Sequence, residues 1–210
     1  MRRNAKRRKR QNGHSILEFG IVAIPTVYLL LGVVVIGINL GRAVQAAQIC
    51  RDADSLFVRG AALYSSAGQS FIADLGANMN LQVSGTAGDG LITLSKVQFI
   101  PDPSCGTPTS AGYANCTVGT TRLVQRIIFG NTTLPGTQYA TVGTVTYDSL
   151  DQVNNYLTDP NAVVSNFATK AFQLKPNEVS YISEAYFRNP FSDFGVWTGS
   201  NSGIYSQAFF

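Results

Sequence analysis

From Phe19 to Gly41 the chain runs for 23 residues, FGIVAIPTVYLLLGVVVIGINLG, without a formal charge. As a helix rising ~1.5 Å per residue this run extends about 35 Å, enough to cross the roughly 30 Å hydrocarbon core of a bilayer with some tilt. A buried core helix is rarely so long, so the run reads as a transmembrane helix. The competing reading is a secretory signal peptide, with Val44-Gln45-Ala46 as its cleavage site. The apolar region of such a peptide spans only about 7–15 residues. Here the run is longer and is closed by Arg42 before the candidate site, which favours an uncleaved anchor. Lipidation at Cys50 is disfavoured, because Gln48 and Ile49 precede it where small residues are needed.

Charge orients this helix. The chain has 16 Lys and Arg against 12 Asp and Glu, yet seven of the bases (Arg2, Arg3, Lys6, Arg7, Arg8, Lys9 and Arg10) precede Gly13 with no acid among them. The remainder holds nine bases against twelve acids, a net of −3. The pI of about 9.0 thus belongs to one tail. Seven bases before the span against Arg42, Arg51 and Arg59 after it place the N-terminus in the cytoplasm and export the body, by the positive-inside rule. A basic tail next to a membrane span is explained by that rule and by anionic lipid, so no nucleic-acid partner is expected.

Beyond Arg42 the segment AVQAAQICRDADSLFVRGAALY contains no Pro and is rich in helix formers. One helix is therefore expected over residues 14–64, with its transmembrane part at 19–41. Residues 65–90 are rich in Gly, Ser and Ala and read as a connector, with FIADLGANM forming a short helical turn. From Leu91 onward the runs have strand character: Leu91–Ile100, Arg122–Phe129, Gln138–Tyr147, Glu178–Phe187 and Ile204–Phe210. Val179, Tyr181, Ala185 and Phe187 recur at period two, as on a half-buried strand. Ser149–Leu157 has apolar residues at helical spacing behind a Ser149/Gln152 capping box, and Asp159-Pro160 opens a second short helix. The exported domain, 91–210, is expected to be α+β, an antiparallel sheet of four or five strands with short helices.

Chemistry-bearing groups are few. The single histidine, His14, lies beside the basic tail, so the body has no imidazole for base catalysis or metal ligation. The acids are scattered without a paired pattern. No catalytic residue, metal site or cofactor is expected, and the chain does not read as an enzyme. Cys105 and Cys116 enclose ten residues in the exported body. A disulfide is the natural reading there, worth roughly 3 kcal/mol for a loop of this size on the chain-entropy model. Cys50 is left over, as a small packing residue or a bridge between subunits.

Glu18 is the residue that asks for an explanation, since a carboxylate at the threshold of an uncharged span is costly without water, a proton or a cationic partner. Five residues earlier stands Gly13, so a cut after Gly13 makes His14 the first residue and Glu18 the fifth. A basic leader (1–13) followed by GHSILEFGIVAIP resembles type IV prepilins, and TadE-like pseudopilins of the tight-adherence (Flp) pilus system in particular. The resemblance covers about the first 60 residues and rests on Gly13, Glu18, Phe19 and Pro25. It implies processing between Gly13 and His14 by a prepilin peptidase, and a bitopic inner-membrane protein with a periplasmic or extracellular body. It also implies partnership with other pilins, pseudopilins and copies of itself through the N-terminal helix. His14 is a departure, since small or apolar residues are more usual at that place. Cleavage would leave an α-ammonium near Glu18, so that Glu18 of one subunit pairs with the amine of its neighbour. The rival reading is an uncleaved, membrane-tethered binding or adhesin domain.

Overall fold

The computed structural model describes residues 5–110, 113–165, 167–188 and 203–210, without the side chains of residues 5–15 and 115. Two compact units divide the chain, residues 1–41 and residues 42–210. One helix, α1, runs over Ala5–Val58, 54 residues, and contains Pro25. Proline has no N–H to give the carbonyl four residues back. The adjacent Thr26 Oγ1 donates to Val22 O at 2.7 Å, and the helix continues through. In the first unit most apolar side chains are exposed, Phe19 at 76% and Leu29 at 71%. This helix is long and apolar enough to cross a membrane.

The helix stops at Val58, earlier than the expected Tyr64, and the stop has a local cause. Gly60 takes φ +76°, its N–H donates to Phe57 O at 3.0 Å, and the Ala61 N–H reaches back to Leu56 O at 3.1 Å. That is a Schellman closure, which needs the left-handed conformation glycine adopts freely. The stretch 65–90 carries α2 (Ser66–Leu75), capped by Ser65, a 3-10 turn at Ala77–Met79 and the two-residue strand β1 (Ser84–Gly85).

The second unit is α+β, built on a five-stranded sheet ordered β1-β3-β2-β4-β5. Its long strands are β2 (Gly90–Pro101), β3 (Gly119–Asn131), β4 (Val179–Arg188) and β5 (Gly203–Phe209). They pair antiparallel, whereas β1 joins β3 in parallel, so the sheet is mixed rather than antiparallel throughout. Alternation along the strands puts two sets of side chains on opposite faces. On one face Ile92, Leu94, Ile127, Phe129, Ala185 and Phe187 pack with Ala46, Ile49, Cys50, Ala53 and Phe57 of α1 and Ile72 of α2. On the other, Val97, Phe99, Leu123 and Ile182 pack under Ala140, Val153, Ala162, Val164, Phe167 and Leu174. Both faces are therefore covered, and β4 is not the half-buried strand that its period-two pattern indicates: Ser180, Ile182 and Glu184 are buried as well.

Two expected elements are absent from the cover of the second face. Gln138–Tyr147 is not a strand, because the N–H groups of Gln138 and Tyr139 donate to the Glu184 carboxylate, at 2.6 and 3.2 Å, instead of to a neighbouring strand. Ser149–Leu157 is not a helix. Asp148 Oδ1 accepts the N–H groups of Leu150 and Gln152, at 2.8 and 2.9 Å, and Asp151 and Asn155 take φ of +58° and +51°. An Asx turn thus replaces the capping box. The segment then runs along β3, where the Val153 N–H donates to Val124 O at 2.8 Å. The short helix expected from Asp159-Pro160 through Val163, Val164 and Phe167 is reduced to a 3-10 turn over Pro160–Ala162, because Val163 is extended and bridges Arg122 of β3; α3 then forms separately at Phe167–Lys170.

Candidate functional site

The residues of the prepilin resemblance all fall on α1. Gly13 and His14 are helical, with side chains outside the described residues, and residues 1–4 of the leader also lie outside them. Glu18, Phe19 and Pro25 are exposed on the helix. Seven residues is close to two helical turns, so Glu18 and Pro25 share a side. Gly37 and Gly41 stand one turn apart, and nothing lies within 4 Å of where a Cβ would sit at either. A second helix could approach closely there.

Cys105 and Cys116 are joined, with Cα atoms 5.9 Å apart, at the tip of the β2–β3 hairpin. Asp102 shapes the entry to the loop by accepting the Ser104 N–H at 2.8 Å, and that hydrogen bond holds its carboxyl below the usual range. On the far side, Asn177 Nδ2 donates to Tyr113 Oη at 2.7 Å. Cys50 is a buried free thiol, a packing residue whose Sγ lies 3.1 Å from Ser183 Oγ. Burial pushes its pKa up to about 11, so it is protonated at neutral pH.

Sequence reasoning missed three ionisable groups that the fold encloses, Glu184 and Asp54 buried and Arg126 half-buried. Glu184 of β4 is 3% exposed and accepts from Thr137 Oγ1, the Gln138 and Tyr139 N–H groups and Tyr205 Oη. Burial, and then the bond to Glu184, push the Tyr205 phenol up. Arg126 of β3 donates to Ala140 O and Ser95 Oγ; burial lowers its pKa while Tyr147 and Glu184 oppose that. These two side chains fasten the segment 137–140 to the sheet. The third group, Asp54, is fully buried in α1. Glu184 was visible only as a single acid in a largely apolar strand, and Asp54 as the second acid of the charged stretch Arg51–Asp54, neither with a period.

A cleft of about 380 Å³ opens where β2 and β3 meet the segment around α3. Phe99 and Phe167 contribute to its wall with Thr120, Thr121, Thr169 and Gln173, and none of its lining residues is charged. Among the described residues no group of three His, Cys, Asp or Glu is placed to hold a metal.

A long N-terminal helix, apolar and exposed at first and then packed on a β-sheet, is a pilin-like architecture. Comparison of the chain with protein-family models, curated proteins and solved structures gives no match.

Proposed function

We propose that the chain is a TadE-like minor pseudopilin: a bitopic inner-membrane protein, anchored at residues 19–41, that enters or initiates a Flp-type pilus through its N-terminal helix. The observation that carries this reading is Glu18, exposed at the mouth of an uncharged helix and five residues past a glycine that ends a basic leader. A prepilin peptidase cutting between Gly13 and His14 removes all seven leader bases and creates an α-ammonium. In an apolar bundle of such helices a lone charge is costly, and Glu18 with a neighbour's amine compensates both. Subunit register follows from that pairing. The exposed apolar side chains along the helix, and the room beside Gly37 and Gly41, suit both lipid and neighbouring helices. The body has about 150 residues after the helix, which fits a component that caps, primes or adheres better than a small filament-forming repeat. In this reading the protein is structural, with no catalytic role.

The test is Glu18→Ala in cells that carry the assembly system. Processing is expected to continue while incorporation into sheared pili falls at least tenfold by immunoblot. Unchanged incorporation and pilus yield count against the pairing. The alternative, an uncleaved tethered binding domain, is favoured by the uncharged, threonine-lined cleft of the body.

A further inference from the structure

Among the described residues, the buried side-chain nitrogen and oxygen atoms without a hydrogen-bond partner are the two carboxylate oxygens of Asp54. Native proteins leave few such atoms, and each one has a cause. Asp54 is 0% exposed and belongs to the stripe of α1 that is packed on the sheet. One turn before it, Cys50 rests on Ser183 of β4, with Sγ and Oγ 3.1 Å apart. One turn after it, Phe57 meets the ring of Tyr181, also of β4, at 5.3 Å and nearly perpendicular. Helical spacing puts the carboxyl between these two anchors, on the same side of the helix.

The surroundings offer no compensating charge. On α1 itself the titratable or charged neighbours are Cys50, held as the neutral thiol, and Arg51 three residues before Asp54, whose side chain is exposed and gives the carboxyl no hydrogen bond. From β4 comes Tyr181, and from β2 Lys96, whose ammonium is engaged over the Tyr181 ring at 5.6 Å. β5 brings Ser206 and Ala208 to this face, neither of them titratable, and then Phe210, whose carbonyl accepts the Tyr181 N–H at 2.7 Å. Asp74 of α2 is exposed. An ionised carboxylate sealed among these groups would lack both water and a counter-charge, which is heavily unfavourable.

We propose that Asp54 is a proton-operated latch: its neutral carboxyl lets residues 42–58 of α1 seat on the sheet, and loss of the proton loosens that seat. Asp54 lies thirteen residues beyond Gly41, outside the segment assigned to the membrane, and the latch does not depend on the pilus reading. Burial raises its pKa from 3.8 to about 7. The docked state therefore holds a proton that the undocked state gives up. Docking is strongest below about pH 4, weakens as the pH climbs from there to about 7, and stays at its weaker level above. Near pH 7 the docked carboxyl is half ionised, so the strength of docking responds to acidity up to about that pH.

Hydrogen exchange on the full chain in lipid nanodiscs tests this. Protection of the amides of residues 46–58, corrected for intrinsic exchange, is expected to drop roughly tenfold or more from pH 5.5 to pH 8.0. In Asp54→Asn it should remain level. Equal protection at both pH values in the native chain, or the same drop in the variant, overturns the latch. Should the variant fail to fold, the ¹³Cγ shift of Asp54 in the native chain decides: a midpoint near 7 supports the proposal, and one near 4 overturns it.

Discussion

Glu184→Ala should destabilise the body by about 3–5 kcal/mol, the range for breaking a buried charged network by removing one partner. The side chain has 3% exposure and takes hydrogen bonds from Thr137, Gln138, Tyr139 and Tyr205. Truncation leaves two backbone N–H groups and two hydroxyls, all at part-buried hydrogen bonds, without their acceptor. Each buried group left unsatisfied costs about 1–3 kcal/mol, although relaxation of the 137–140 segment recovers part of that. Arg126 also loses the carboxylate that helps to hold its charge in a half-buried site. Urea unfolding of the full chain in micelles, followed by circular dichroism, measures the loss. A change under about 1 kcal/mol would mean that the segment is not fastened by this carboxylate. Glu184→Gln keeps an acceptor oxygen and should lose less.

Phe187→Ala should cost a similar amount, about 3–5 kcal/mol, through the transfer term and the cavity left behind. Phe187 is fully buried in the helix-covered face of the sheet, and its seat exists because position 90 carries no side chain. A Cβ on Gly90 would lie 2.5 Å from Phe187 Cε1, and the two residues are register partners across β2 and β4. The ring thus fills the place that a side chain would otherwise take. The same unfolding experiment measures this cavity. A loss below about 1 kcal/mol contradicts the packing described for this face.

The parts of the fold that were legible in the sequence are those held by their own backbone. Residues 91–100, 122–129, 178–187 and 204–210 are continuous apolar or alternating runs, and each forms a strand close to its expected bounds. The long helix was equally plain up to Gly60, whose left-handed conformation ends it. Gln138–Tyr147 and Ser149–Leu157 misled because side chains, Glu184 and Asp148, satisfy backbone donors that a ladder or a helix would otherwise use. Glu184 stands 46 residues from Gln138, so no local window contains both, whereas Asp148 directly precedes Ser149 and its Asx turn is a local competitor of the capping box. The small strand β1 was likewise invisible, since its two residues pair with the far end of β3 and carry no apolar signal.

The candidate site divides along the same line. The Cys105–Cys116 bridge followed from the inferred compartment and loop length, and the structure joins those two thiols. The prepilin pattern, from Gly13 through Pro25, is written in spacing and charge alone. By contrast Glu184, Arg126 and Asp54 gain their meaning from burial, which arises only when α1 and the irregular cover close over the two faces of the sheet. A lone acid in a strand or helix reads as solvent-facing until the fold encloses it.

The N-terminus of the protein as it stands in its native membrane tests the central claim most directly. Intact-mass and N-terminal peptide mass spectrometry on material extracted from cells carrying the assembly system is expected to find a chain that starts at His14, without the seven leader bases. A mature protein that still begins at Met1 would contradict the pseudopilin account and leave a tethered exterior domain in its place.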